Sequence, residues 1–245
     1  MDLQNAWNVA VKDLKIYTKK KSVIYATVAM PLIVGFAFPL ILDYSFRRTG
    51  KVLSAATALG LMDTFSIFFI IAAAMVPTAI ASYSLVGEKV QKSLEPLLAT
   101  PMSDGDILLG KTMSALLVPL GAIYGGSIAF MSLMDYFTHD LLGYYYYPNW
   151  HIGAILLAAP FAALLSVELN VIISSRMTDV RSAQQSGALL MLPFLGVFLA
   201  SELGFFTLND TNLAAIAVAL AAISAAMFFV AKATFQREEI LTRWR

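Results

Sequence analysis

Six apolar stretches, each near the length needed to cross a bilayer and each closed by charged or turn-forming residues, limit what this chain can fold into. A hydrocarbon core about 30 Å thick takes roughly 20 residues of helix, and the windows 22–42, 61–86, 107–134, 152–174, 187–203 and 212–235 approach that length. The spacing predicts an all-α integral membrane protein, a single membrane domain over residues 1–245. Backbone that crosses lipid must satisfy its own hydrogen bonds. Pro31, Pro39, Pro119 and Pro160 are therefore tolerable only in a bundle whose neighbours serve the freed carbonyls. The fifth window is the weakest. It has roughly 17 residues, with Pro193 and Gly196 inside, and invites a segment that dips and returns.

Composition agrees, with 59% apolar and 13% charged residues. The absence of cysteine excludes a disulfide framework, a thiolate metal site and thiol nucleophilic catalysis. His139 and His151 alone do not make a multi-histidine metal centre. The 17 Lys and Arg against 16 Asp and Glu leave no global basic field for nucleic acid. No cofactor or metal is expected on this chain.

Position matters more than total charge. Loops rich in Lys and Arg stay cytoplasmic. Fourteen cations fall on one side: Lys12, Lys15, Lys19, Lys20 and Lys21 before the first window, Lys89, Lys92 and Lys111 after the second, Arg176 and Arg181 after the fourth, and Lys232, Arg237, Arg243 and Arg245 at the end. Only Arg47, Arg48 and Lys51 fall on the other. Both termini are expected in the cytoplasm, with six transmembrane helices between them. The run Tyr144 to Tyr147 with Trp150 then lies in an outer loop, where aromatic rings anchor at the headgroup level.

Residues 1–21 do not read as a secretory signal, because they lack an apolar core and no small-residue cleavage site follows. Leu3, Trp7, Ala10 or Val11, and Leu14 recur at helical spacing, with Gln4, Lys12 and Lys15 on other faces. This pattern predicts an amphipathic helix lying on the inner membrane surface.

Gly105, Gly110, Lys111 and Thr112 satisfy the phosphate-loop pattern G-x-x-x-x-G-K-[ST]. The pattern works only where a buried strand leads into the loop and a second acidic strand end holds magnesium. Here a turn precedes it and a membrane window follows, so the match reads as fortuitous. Any nucleotide is bound by another chain.

The longest polar interruption after the N-terminus is the inner loop from Glu88 to Pro101. Val90, Leu94, Leu97 and Leu98 share one helical face, while Glu88, Lys89, Lys92 and Glu95 are polar. Pro96 divides the segment into two short pieces. Its residues alone allow either a piece resting on headgroups or one docking to a soluble partner.

Glu88, then Ser93 to Pro101, then Ile107 to Lys111, resembles the signature between the second and third helices of ABC-2 type permeases, the membrane subunits of ATP-driven transporters. Many of these carry Thr where Ser93 stands. The start, with Val11 to Leu14, a lysine run and Met30-Pro31-Leu32, is similar to the family's elbow helix and first span, with Asp13 where Glu is usual. Ile172 to Ser175, then Ala183 to Gln185 and Leu192-Pro193, resembles its connection between the fourth and fifth helices. The resemblance implies an N-terminal elbow helix, a cytoplasmic coupling helix and an exporting permease in the cell membrane. It also implies two separate ATPase subunits, which carry the ATP and Mg, and a second permease, either an identical copy or a paralogue. It implies that Leu94, Leu97 and Leu98 fill a groove of the ATPase, with Glu88, Lys89, Lys92 and Glu95 at its polar rim.

Glu168 is the carboxylate that lies well inside a window. An acidic residue near a helix centre costs roughly 2.5 to 3.5 kcal/mol, so it is expected to face a partner, a cavity or the bundle interior. It is either a substrate-pathway group or a structural hydrogen-bonding partner. Ser166 and Asn170 are two residues away and fall on other helix faces. Asp63 and Glu202 read as boundary residues at span ends. The alternative to a permease is an ATP-independent ion- or proton-coupled carrier or channel built on Glu168. A membrane enzyme would need paired acids or histidines at one depth, which the sequence does not offer.

Overall fold

The computed structural model describes residues 2–49, 54–83, 86, 100–144, 150–175, 177, 179–205 and 210–234, and every regular element among them is helical. Helix α1 (Leu3–Lys19) begins where the Asp2 carboxylate accepts the Gln4 amide at 2.9 Å, and it ends at Lys20, whose extended backbone turns the chain. The first span follows as α2 (Lys21–Leu32), one wide π turn (Ile33–Ala37) and α3 (Phe38–Thr49). Pro31 has no N–H to offer the preceding turn, and the wide turn comes directly after it. Helix α4 (Ala55–Ser82) is capped by Ser54 and α5 (Asp104–Leu142) by Ser103. Then come α6 (Trp150–Ser175), α7 (Val180–Ala188), a tight 3-10 turn (Leu189–Met191), α8 (Leu192–Glu202) and α9 (Asp210–Thr234).

Six segments are long and apolar enough to cross a membrane: Lys21–Ser45, Ala55–Ser82, Asp104–Leu142, Leu156–Ser174, Arg181–Glu202 and Thr211–Ala233. They match the six windows, with three differences that have physical causes. Helix α4 starts six residues ahead of its window, at a Ser54 cap that apolarity alone does not reveal. Helix α5 runs to Leu142 instead of ending near 134, because hydrogen bonding continues after the apolar stretch has run out. The fifth segment begins at Arg181, not 187, because polar α7 joins α8 end to end.

Contacts fix the direction of each segment. Gly126 of α5 meets Pro31 and Gly35, while Lys111 of α5 meets Asp13, so the first and third segments run the same way. Ala74 and Ser82 of α4 meet Ser166 and Asn170 of α6, so the second and fourth also run together. Thr138 of α5 reaches Met62 of α4, which sets these two pairs in opposite directions. Gly187 packs on Thr78, and Glu202 accepts from Thr64 at 3.0 Å. The fifth segment therefore travels about 21 Å along α4 and crosses the bundle instead of dipping. Glu202 is exposed at its far end, as expected of a boundary residue.

In lipid the hydrophobic effect does not press helices together, so close backbone approach and dispersion must. Ala72, Ala73 and Ala74 on α4 and Ala158, Ala159, Ala162 and Ala163 on α6 are almost completely buried. A Cβ added to Gly35 would stand 2.5 Å from the Gly126 carbonyl oxygen, and one added to Gly126 would strike the Pro31 carbonyl. The first span and α5 thus cross backbone to backbone. Around this crossing Phe69 and Phe130 meet with ring centroids 5.6 Å apart, and Phe38 meets Phe65 at 4.7 Å.

Candidate functional site

The α1 end of the bundle holds an unusual density of buried polar groups. Ala6, Val9, Ala10, Asp13 and Tyr17 recur at three- and four-residue spacing and form the buried face of α1, which lies against the beginning of α5. Gly110 makes that contact possible: a Cβ there would come within 2.5 Å of the Ala6 carbonyl oxygen and 2.7 Å of Val9 Cβ. One residue on, Lys111 Nζ lies 3.4 Å from Asp13 Oδ2, with the two side chains 1% and 2% exposed. Lys12 approaches the same carboxylate at 3.9 Å from the exposed side. Removing one partner of such a buried pair leaves an uncompensated charge and costs about 3–5 kcal/mol.

Two further ties fasten α1 to its neighbours. The Asp2 amide donates to Asp106 Oδ1 at 2.8 Å, while Asp106 and Ser103 form a reciprocal cap at the start of α5. At the other end of α1, Lys20 donates to the Tyr83 hydroxyl and stands 3.7 Å from that ring's centre. Tyr83 ends α4 and Ser103 begins α5. The chain between them is therefore held at both flanks by α1. Glu88, Lys89, Lys92, Leu94, Glu95, Leu97 and Leu98 lie within that connection and outside the described residues.

The phosphate-loop pattern has another role in this geometry. Gly105 through Thr112 lies wholly within α5, Gly110 packs on α1, and Lys111 is directed to Asp13. A phosphate cradle needs backbone amides freed by a loop, and here the first turn is already capped by Ser103 and Asp106.

Glu168 faces the bundle interior, as its cost in lipid requires. It is 1% exposed, and neither carboxyl oxygen has a hydrogen-bond partner among the described residues. Ser166 and Asn170 do not serve it. Ser166 donates to the Ala74 carbonyl of α4, and Asn170 Oδ1 accepts from Ser82 at 3.0 Å. The Asn170 amide nitrogen fills the space that a side chain at Gly187 would need. Thr112 Oγ1 is also buried without a hydrogen bond among the described residues. The Tyr124 hydroxyl donates to the Leu156 carbonyl at 2.9 Å, and an equal run of helix, about 18 Å, leads from Tyr124 to Thr112 and from Leu156 to Glu168. Thr112 and Glu168 accordingly sit at similar depth. Beside Glu168 on α6, Leu165 and Leu169 line an apolar pocket of about 240 Å³ together with Ile67, Phe194 and Leu220.

A polar cleft of about 660 Å³ lies at the opposite end, between α3 and α5, and includes Arg47, Asp135 and His139. The Arg47 guanidinium donates to Asp43 at 2.7 Å, which raises its already high pKa. The predicted aromatic anchor is only partly described here: Tyr144 is exposed against His139, and residues 145–149 are outside the described set. Among the described residues no three His, Asp or Glu side chains converge as metal ligands.

The buried Asp13–Lys111 pair went unread in the sequence. A cation one residue after a glycine, at the mouth of an apolar window, was a usable signal, because such a charge needs a partner. Residues 7–232 match the family model described as ABC-2 family transporter protein. No curated protein matches the chain.

Proposed function

The chain belongs to the ABC-2 transporter family, and on that premise we propose that it is an exporting permease whose 88–98 connection docks on separate ATPase subunits. In this reading Leu94, Leu97 and Leu98 enter an apolar groove of the ATPase, and Glu88, Lys89, Lys92 and Glu95 pair at its rim. ATP and Mg reside on two such subunits, and a second permease, a copy or a relative, completes the pathway. The positive-inside asymmetry supports a cell-membrane protein with both termini and this connection in the cytoplasm.

The observation that carries the reading is the bracing of the connection by α1. Lys20 on Tyr83 ties α1 to the last turn of α4, and Asp2 on Asp106 with Asp13 on Lys111 ties it to the first turns of α5. A push delivered between these flanks reaches the first three spans through buried, charge-assisted contacts instead of dissipating in a loose loop. Co-expression with an ATPase partner is expected to give a stable membrane complex, and Leu94→Ala with Glu95→Ala to weaken it. Undiminished assembly and transport after that replacement would remove the docking assignment.

Glu168 belongs to the proposed substrate pathway. Its two buried oxygens have no hydrogen-bond partner among the described residues, and such a site gains most from a second state or a substrate that supplies one. The same observation favours the one competing reading, an ATP-independent ion- or proton-coupled carrier. The two separate cleanly: transport that persists without any ATPase and disappears in Glu168→Gln identifies the carrier.

A further inference from the structure

We propose that the substrate is a hydrophobic organic cation, an ammonium group on a short alkyl or aryl body, with Glu168 meeting the ammonium and the adjoining apolar pocket holding the body. This rests on the reading that Glu168 belongs to the substrate pathway, and it adds the chemical class that the pathway selects.

Glu168 points between two differently furnished sides of α6. At about 100° per residue, Val167 and Val171 fall to one side of it, and both pack in one buried cluster with Leu108 and Ala115 of α5 and Ala231 of α9. Thr112 shares that α5 face, four residues after Leu108 and three before Ala115. Leu165 and Leu169 fall to the other side and line the pocket. In front of Glu168 stands α9. Ser224 donates to the Phe161 carbonyl at 2.9 Å, and two turns further along each helix come Glu168 and buried Ala231.

Among the described residues the two Glu168 oxygens accept no hydrogen bond. Lys111, next to Thr112, lies 3.4 Å from Asp13, and Arg181 on α7 and Lys232 on α9 are exposed. A substrate with N–H donors and a positive charge supplies what these side chains do not, whereas an anionic one meets repulsion. Thr112 Oγ1, buried without a hydrogen bond among the described residues, is a second acceptor at similar depth.

The pocket receives the rest of the molecule. The fifth segment is fastened to α4 at both ends, where Gly187 abuts Thr78 and Glu202 accepts from Thr64. Between these ties Pro193, Phe194 and Val197 border a space of about 240 Å³ lined only by apolar side chains. Val197 and Ile223, both in its lining, are 42% and 49% exposed, so the space opens sideways to the acyl region of the bilayer. Such an apolar space stays dry and takes an apolar ligand. Its volume falls below the roughly 300 Å³ at which drug-sized sites begin, which limits the body to a short chain or a single ring. Leu165 and Glu168 are one helical turn apart, with β-carbons about 5–6 Å from each other. One small molecule therefore reaches from the pocket to the carboxylate once α9 shifts.

The test titrates the full chain, in nanodiscs of zwitterionic lipid and without any ATPase, with hexylammonium, hexanol and hexanoate while the melting temperature is followed. Hexylammonium is expected to raise it saturably, with an apparent affinity at least about tenfold above the other two, the worth of one charge-assisted hydrogen bond. Glu168→Gln should erase this preference in a protein that still melts cooperatively. Leu165→Trp, which fills the pocket, should erase the gain of hexylammonium over methylammonium. In the assembled complex hexylammonium should stimulate ATP hydrolysis by the parent and not by the Gln variant. Equal affinity for the three hexyl probes, or an ammonium preference that survives Glu168→Gln, overturns the proposal. A chain-length gain that survives Leu165→Trp also overturns it, as does binding without stimulation of hydrolysis. Failure to assemble with an ATPase counts against the permease reading alone, because the titration contains none.

Discussion

Lys111 Nζ stands 3.4 Å from Asp13 Oδ2 across the α1–α5 contact, with each side chain no more than 2% exposed. Lys111→Met or Asp13→Leu alone should each lower the stability of the solubilised protein by about 3–5 kcal/mol. Lys111→Met is the milder of the two, since Asp13 keeps Lys12 at 3.9 Å. The double replacement should recover much of the loss, because no charge is left stranded. Melting temperatures of the three variants in one detergent check this, and strictly additive losses would argue against a coupled pair.

The backbone crossing at Gly35 and Gly126 gives a second expectation. Gly126→Ala places a methyl group on the Pro31 carbonyl, and Gly35→Ala places one 2.5 Å from the Gly126 carbonyl, so the helices must separate. Each change should cost about 1–3 kcal/mol. Gly121→Ala and Gly125→Ala, whose added Cβ meets nothing within 4 Å, should leave the melting temperature unchanged or raise it. The four single variants form their own control.

Glu168 predicts opposite effects on stability and transport. Its buried oxygens make no hydrogen bond among the described residues, so Glu168→Leu should stabilise the fold by about 1–3 kcal/mol while depressing transport. If Glu168 were only a structural cross-link, the same change would destabilise the protein. A thermal melt beside a transport assay distinguishes the two.

The start of α7 responds to pH. The Asp179 carboxylate accepts the Ser182 amide at 3.0 Å, and this bond, against a smaller burial effect, holds its pKa below the usual value. Since the folded value is depressed, the stabilisation is complete above the ordinary carboxylate pKa of about 3.9 and disappears as pH falls through the lower folded value. Amide exchange in α7 should therefore be faster in Asp179→Ala than in the parent at neutral pH, and the difference should vanish in acid.

The windows around the six spans were legible because lipid demands some 20 apolar residues whatever the tertiary packing. Apolarity measures the bilayer, though, and not the helix. It missed the cap at Ser54, the extension of α5 through Asp135 and His139 to Leu142, and the polar first turns of the fifth segment from Arg181. The interior position of Glu168 followed from charge cost, and the placement of Ser166 and Asn170 on a face other than that of Glu168, toward α4, from helix geometry. The Asp13–Lys111 pair joins residues 98 positions apart, and local pattern carries no record of such a contact. The role of Gly110 was hidden likewise, because only the arrival of α1 shows why a side chain is excluded there.

In the proposed function, force enters through the connection braced by α1. The chain contains no cysteine, so single cysteines report contacts without background. Leu94→Cys, paired with cysteines placed in turn along the ATPase groove, should form a disulfide with at least one of them in the assembled complex, since bridging requires Cβ atoms about 3.5–4.5 Å apart. Tyr144→Cys, at the far end of α5, should form none. Cross-linking at 94 that changes on nucleotide binding is the predicted result; a fully assembled, transporting complex with no cross-link at 94 to any groove position would contradict it.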